Sequence, residues 1–432
     1  MKSFIRNFTF IILLAITGNV SAQINATAPS ADSIVTLDTQ KVSVAAPVTV
    51  VEKVDTPADK SFLNPSSLAN SGVKLLMMII GLIFVLGSIR LNYQPLLLVP
   101  IGIGILITNI PFFLTGNMPL SIFEENSFFN YFYKGLSYGI YPSLIFIGIG
   151  AMTDFSSLIA NPKLMLLGAA SQIGILVALV VGVGYGFNLN EAASMGMIGG
   201  ADGPISIFAA TNMAPGLLIP IALSAYAFMA LVPVIQPPIM RLLTSKKERV
   251  IKMKPMRAVS STEKILFPVV GLILTGIIVP RALPMLGMLF FGNILKESGC
   301  TKRLAFTASN TLLDIVTILL GLTLGAAAQP EIILTNKALM IFIIGGAAFV
   351  VATVCGILFA KLMNLFLAKG NKINPLIGNA GVSALPDSAR ISQLEGLKAD
   401  PTNHLLSHAM APNVAGVISS AIAAGILMSF LM

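Results

Sequence analysis

Long apolar runs separated by short polar stretches set the limits on how this chain can fold. They fall at about 73–88, 96–114, 140–152, 164–185, 192–212, 217–243, 265–279, 283–295, 304–327, 338–367, 375–389 and 405–432. Runs of this length approach the roughly 20 residues that a helix needs to cross a bilayer, and a lipid core leaves the backbone no partner except itself. Barrel strands would instead alternate in segments of about ten residues. Of the 432 residues, 55% are hydrophobic and 10% charged, against roughly 25% charged in an ordinary soluble domain. A water-soluble enzyme is excluded, and an all-α polytopic membrane protein is expected. The 37 Gly and 25 Pro suit membrane helices, where neighbouring helices satisfy the groups that a break sets free.

Residues 1–22 carry Lys2 and Arg6, an apolar stretch from Phe8 to Ile16 and the small-residue site Val20-Ser21-Ala22, the pattern of a secretory signal peptide. Residues 23–70 are rich in Ser, Thr, Ala, Val and Pro without helical periodicity, and are expected to form an exported, flexible arm. The nine-charge basic excess reads as cytoplasmic loops rather than as a nucleic-acid surface. Loop 244–264 concentrates it: Lys246, Lys247, Arg249, Lys252, Lys254, Arg257 and Lys264 stand against Glu248 and Glu263. That loop should face the cytoplasm and divides the membrane part into halves at 71–243 and 265–432.

If the chain starts outside, six full crossings would leave the basic loop outside, so one run must turn back. The run 192–212 is built for it, with Gly199-Gly200-Ala201-Asp202-Gly203-Pro204 at its centre. In the second half, 375–389 is equally interrupted between Gly378 and Pro386, and Arg390 and Lys398 beyond it favour return to the cytoplasm, provided the short run 283–295 crosses. Broken segments entering from opposite faces, one per half, define inverted-topology repeats whose re-entrant hairpins meet near the midplane. Met213-Ala214-Pro215 and Met410-Ala411-Pro412 form a faint echo, each following a broken segment and opening a helix.

An ionisable group at membrane depth is costly and marks an ion or water path, which singles out Asp202, able to bind Na⁺ or take a proton instead. Its bland alternative is a helix N-cap. Tyr226, with Gln236 further along a proline-interrupted helix, reads as a core aromatic with a satisfied hydroxyl unless it converges on Asp202. Asn374, Ser383 and Asn413 are oxygen donors at breaks or helix starts. Asp314 is a second intramembrane carboxylate, and Arg390 is an inside anchor or a grip for an anionic carboxylate. His404 and His408 lack the glutamate of a metalloprotease helix and read as loop or helix-start residues. Cys300 and Cys355 read as buried small residues without a disulfide, and Gly148 and Gly150 as close helix packing. There is no phosphate-binding loop, and no Ala-Met-Lys-Met biotin attachment pattern; Met253-Lys254 runs into Pro255.

The segments 199–215 (GGADGPISIFAATNMAP), 224–243 (SAYAFMALVPVIQPPIMRLL), 292–304 (GNILKESGCTKRL), 374–390 (NPLIGNAGVSALPDSAR) and 410–425 (MAPNVAGVISSAIAAG) closely resemble the β subunit of the sodium-pumping, biotin-dependent decarboxylases of oxaloacetate, methylmalonyl-CoA and glutaconyl-CoA. The resemblance covers essentially everything after Val73. It implies a chain of a bacterial cytoplasmic membrane, its arm outside, that releases CO₂ from carboxybiotin while driving Na⁺ outward. Asp202, Tyr226 and Arg390 would act in the reaction, with Arg390 near the carboxybiotin. Asp202, Tyr226, Asn374, Gly378, Ser383 and Asn413 would bind sodium or line its path. The implied partners are a carboxyltransferase α subunit, a biotin carrier domain or subunit, a small single-span γ subunit and further copies of the chain. The rival reading of the same residues is a sodium-coupled carrier of a carboxylate that breaks no bond.

Overall fold

The structure, a computed structural model, describes residues 65–91, 94–110, 122–125 and 127–432. The expected signal peptide and most of the expected arm lie outside the described residues. Among the described residues the first helix is Pro65–Leu91, which takes in residues 65–70 of the expected arm. Proline is tolerated in a first turn because its missing N–H has no intrahelical partner there. The described residues contain helices and loops and no strand.

In chain order the principal helices are α1 (Pro65–Leu91), α2 (Pro95–Asn109), α3 (Phe128–Ser137), α4 (Ile140–Met152), α5 (Met165–Ser171), α6 (Ile173–Gly184), α7 (Leu189–Gly196), α8 (Gly203–Met213) and α9 (Leu218–Leu243). After the basic loop come α10 (Ser261–Ile278), α11 (Leu283–Glu297), α12 (Leu313–Ala327), α13 (Asn336–Phe366), α14 (Asp387–Ala399) and α15 (Leu406–Leu431). Among the described residues seven helical stretches are long and apolar enough to cross a membrane, or eight if the pair α3 and α4, bent by 65°, is one span. α3 does not stand out as an apolar run because its Phe and Tyr residues alternate with Asn, Lys and Ser. It joins α4 through Gly139 at φ 70°, a conformation glycine adopts without strain.

Contacts between the halves sort the helix ends onto two faces. On the basic-loop face, Arg241 grips Glu395 with two bonds of 2.7 Å, and Asn374 and Asn403 each donate to the Arg249 carbonyl at 2.9 Å. On the same face Lys252 meets Asp400 at 3.3 Å and Lys361 meets Glu248 at 3.0 Å. On the far face Lys337 meets Glu191 at 3.0 Å and Asn109 donates to the Ala328 carbonyl at 3.2 Å. α11 connects the two faces despite its 15 residues. It begins just beyond Arg281, which touches Met432 at the far end of α15, and ends where Lys296 donates to the Thr153 carbonyl at 2.8 Å.

Both ends of the segment 189–213 lie on the far face, where Asn188 and Pro215 share a cavity of about 430 Å³ with Lys337. Both ends of the segment 374–400 lie on the basic face, at Asn374 and Asp400. The two broken segments therefore enter from opposite faces.

The two halves pack as an inverted pair. The second helix of each lies against the third of the other with backbones in direct approach. A Cβ on Gly104 of α2 would sit 2.5 Å from the Leu322 carbonyl oxygen, and one on Gly292 of α11 would sit 2.0 Å from that of Ile147. One expected echo fails. Met213-Ala214-Pro215 leads into α9, but Met410-Ala411-Pro412 lies inside α15. That helix starts earlier because Gln393 Oε1 accepts the N–H groups of Leu405 and Leu406 at 2.5 and 2.7 Å, supplying partners that a first turn otherwise lacks.

Candidate functional site

The first hairpin opens where proline withdraws a hydrogen bond. α7, capped by Asn188 and Glu191, tightens into a 3₁₀ turn over Met197–Gly200. Pro204 has no N–H to offer the carbonyl four residues back, that of Gly200. Ala201 turns left-handed at φ 50°, ψ 41°, which disfavours any residue with a Cβ by roughly 1–2 kcal/mol, and Asp202 is extended at the start of α8. The freed Gly200 carbonyl accepts the N–H of Ser383, 2.9 Å away on the second hairpin. That bond is where the two broken segments touch.

The second hairpin uses the same device. A 3₁₀ turn over Pro375–Gly381 ends in extended Val382. Pro386 cannot donate to the Val382 carbonyl, which with that of Ala380 accepts the Asn413 amide at 2.9 and 3.0 Å. Gly378 permits the hairpin to lie on α13, since a Cβ there would meet the Gly356 carbonyl oxygen at 2.3 Å. Asn379 braces the turn by donating to Gln236 at 2.8 Å and accepting from Ser392 at 2.5 Å.

Asp202 is 5% exposed and caps α8, accepting the Ile205 N–H at 3.1 Å. Among the described residues no other hydrogen bond reaches its carboxylate, so the cap does not exclude an ion there. Tyr226 of α9 presses on Gly203, where a Cβ would lie 2.5 Å from the ring carbon that bears the hydroxyl. The hydroxyl itself is buried without a hydrogen-bond partner among the described residues. Tyr226 is a core aromatic, but its hydroxyl is not satisfied.

Across the crossing, the Ser383 and Ser420 hydroxyls are 2.6 Å apart, and Ser420 donates to Gln172 at 3.0 Å. Gln172 stands at the break between α5 and α6. The Ser420 oxygen also lies 3.0 Å from where a Gly200 Cβ would be. Asn413 contributes a carbonyl oxygen that is buried and unpartnered. The crossing thus gathers one carboxylate with hydroxyl, amide and backbone oxygens, and the described residues hold no group of three or more His, Cys, Asp or Glu that would suit a transition metal.

Ser420 and Gln172 do not stand out in the sequence, because one polar residue in an apolar helix is common and gives no signal before its partners are known. Asn374 stands apart from the crossing, at the mouth of the second hairpin, where it holds the Arg249 and Ile251 carbonyls at 2.9 and 2.8 Å. Arg390, near the start of α14, is 65% exposed and lies 3.7 Å from Asp387, which also accepts from Gln94.

Asp314 is exposed on α12 with no hydrogen bond or ion pair among the described residues and takes no part in the crossing. Both cysteines are free, as expected, but Cys300 is exposed and Cys355 only half-buried. Cys300 follows the end of α11, where a short loop leaves it uncovered.

Two inverted halves that send broken hairpins from opposite faces to one buried carboxylate make this a multi-pass membrane protein of the inverted-repeat kind. Residues 73–431 match the family described as Na⁺-transporting oxaloacetate decarboxylase beta subunit, and the chain belongs to that family. It is 50% identical over 373 residues to the methylmalonyl-CoA decarboxylase subunit beta of Propionigenium modestum, covering 82% of this chain and 94% of that one. It is 49% identical to the glutaconyl-CoA decarboxylase subunit beta of Acidaminococcus fermentans, covering 82% and 92%. It is 43% identical to the oxaloacetate decarboxylase beta chain of Haemophilus ducreyi, covering 83% and 95%.

Proposed function

We propose that the chain is the membrane subunit of a sodium-translocating decarboxylase. It removes the carboxylate from carboxybiotin carried by a partner and couples CO₂ release to Na⁺ export, with uptake of a proton. The observation that carries this reading is Asp202, a carboxylate 5% exposed at the crossing of the hairpins, beside a buried tyrosine hydroxyl that has no partner. A bare carboxylate at membrane depth is costly. Na⁺ and H⁺ each cancel one negative charge, so exchanging one for the other keeps the site neutral. The Tyr226 and Ser383 hydroxyls and the Asn413 amide oxygen, which has no partner among the described residues, are the hard oxygen donors such an ion takes, and Na⁺ is here cargo.

Loss of CO₂ breaks the bond between the carboxylate carbon and the ureido nitrogen, leaves the electron pair on that nitrogen and consumes one proton. A proton displaced from Asp202 by entering Na⁺ can meet this demand. Arg390, exposed beside the second hairpin, is the group to hold the incoming carboxylate in charge-assisted hydrogen bonds. Asn374, Gly378 and Asn413 keep the second hairpin in shape along the path. The partners are a carboxyltransferase α subunit, a biotin carrier, a small single-span γ subunit and further copies of this chain, in a bacterial cytoplasmic membrane with the basic face inward.

The test is Asp202→Asn in the reconstituted complex. Na⁺ transport and Na⁺-stimulated decarboxylation should both vanish, whereas coupled activity that survives refutes the assignment. Sodium-dependent uptake of a carboxylate by this chain alone, with no CO₂ released, would instead make it a carrier.

A further inference from the structure

On the basic face a second cavity, of about 270 Å³, lies between the start of the span Pro162–Gly184, the end of α13, the start of α15 and the basic loop. Its size is near the lower end of small-molecule sites, roughly 300–1,000 Å³. Lys163, Lys254 and Lys372 line it, Arg257 joins them, and no carboxylate does. Arg257 is neutralised by Glu263 at 2.9 Å, but the three lysines have no ion pair among the described residues. The inner wall holds His408, which is 6% exposed and whose Nδ1 is buried with no partner. Asn161 and Asn371 add two amides to the wall, and Met253, Met363 and Leu367 make its apolar part. Beside it the end of α13 exposes Leu362, Leu365 and Phe366, at 46%, 78% and 84%.

We propose that this cavity binds the phosphate headgroup of an anionic phospholipid from the leaflet on the basic face, with the acyl chains lying along Leu362, Leu365 and Phe366. Basic cavities between membrane helices on that side are suited to such headgroups. The apolar flank is what favours a lipid over a soluble anion, and Arg390 is not part of the lining. Neither Na⁺ binding nor decarboxylation is required for a lipid to bind there.

The test uses the purified full-length complex, stripped of lipid in neutral detergent and then offered phosphatidylglycerol or phosphatidylcholine, with bound lipid counted by native mass spectrometry. The wild type should retain phosphatidylglycerol in preference to phosphatidylcholine. Lys163→Gln, Lys254→Gln and Lys372→Gln together should weaken that binding roughly a hundredfold, at about fivefold per lysine. Lys372→Gln alone, on an exposed loop, should give about fivefold without risk to folding. Equal retention by the wild type and the triple variant would overturn the proposal. So would inorganic phosphate that raises the Tm as much as phosphatidylglycerol vesicles do, since the ligand would then be a free anion. A triple variant that keeps its lipid but sheds the biotinylated partner would make the cavity a protein-docking site, and the lipid proposal would fall.

Discussion

Pro204 and Pro386 each leave a carbonyl without its helical partner, and both carbonyls find new partners on other elements: Gly200 on Ser383, Val382 on Asn413. The prolines and glycines are readable as breaks, and Asp202 as a carboxylate too costly to sit at membrane depth without a task. What cannot be read is which groups complete the crossing, because Ser420 and Gln172 look like any polar residue in an apolar run. Tyr226 makes a sharp prediction. Its hydroxyl has no partner, and a buried unsatisfied group costs about 1–3 kcal/mol. Tyr226→Phe should therefore leave the sodium-free protein as stable as before, or more stable. If the hydroxyl binds Na⁺, the same variant should lose most of the Tm increase that Na⁺ gives the wild type, and need about tenfold or more Na⁺ for half-maximal decarboxylation, the factor that 1.4 kcal/mol represents. An unchanged Na⁺ response would remove Tyr226 from the ion site.

Hairpins hold their positions through two kinds of contact, one apolar and one charged. Gly199 and Gly174 in the first half, and Gly378 and Gly356 in the second, bring each hairpin onto the fourth span of its own half. Gly378→Ala should cost about 1–3 kcal/mol, the range for overpacking, while Gly370→Ala, with open space around it, should change Tm little. Equal effects at the two positions would show that the close approach is not needed. The charged contact is Arg241 on Glu395, which ties α9 to α14. Burial pushes the Glu395 carboxyl up, but Arg241 and Lys398 outweigh it and hold it below the ordinary value. A carboxyl whose folded pKa is depressed adds stability above its unfolded value of about 4.3, and that stability is lost as pH falls through the folded pKa. The Tm advantage of the wild type over Glu395→Gln should therefore be constant from neutral pH down to about 5 and shrink below about 4. A difference independent of pH would mean that the pair contributes only packing. The sequence offers no sign of this clasp, since Arg241 and Glu395 are 154 residues apart and each reads alone as a surface charge.

For the whole molecule, the order of crossings follows from one basic loop and two interrupted runs, because charge bias and broken helices are properties of single segments. The pairing of α2 with α12 and of α4 with α11 does not follow, since the glycines that permit it look like generic small residues until both backbones are in place. Gly148 and Gly150 show the limit: close packing is expected of them, and they do meet the Ala308 and Leu289 carbonyls, but nothing in the sequence names those partners. The opposed hairpin mouths also yield a direct test of orientation. Gly216 lies at the mouth of the first hairpin and Gly370 near that of the second, and a Cβ added at either would have no atom within 4 Å. With Cys300 and Cys355 replaced by serine, Gly216→Cys should react with a membrane-impermeant maleimide added to intact cells. Gly370→Cys should react only after the membrane is opened. Labelling of both positions in intact cells, or of neither, would put the hairpin mouths on the same side. It would thereby remove the opposed geometry on which the proposed ion path rests.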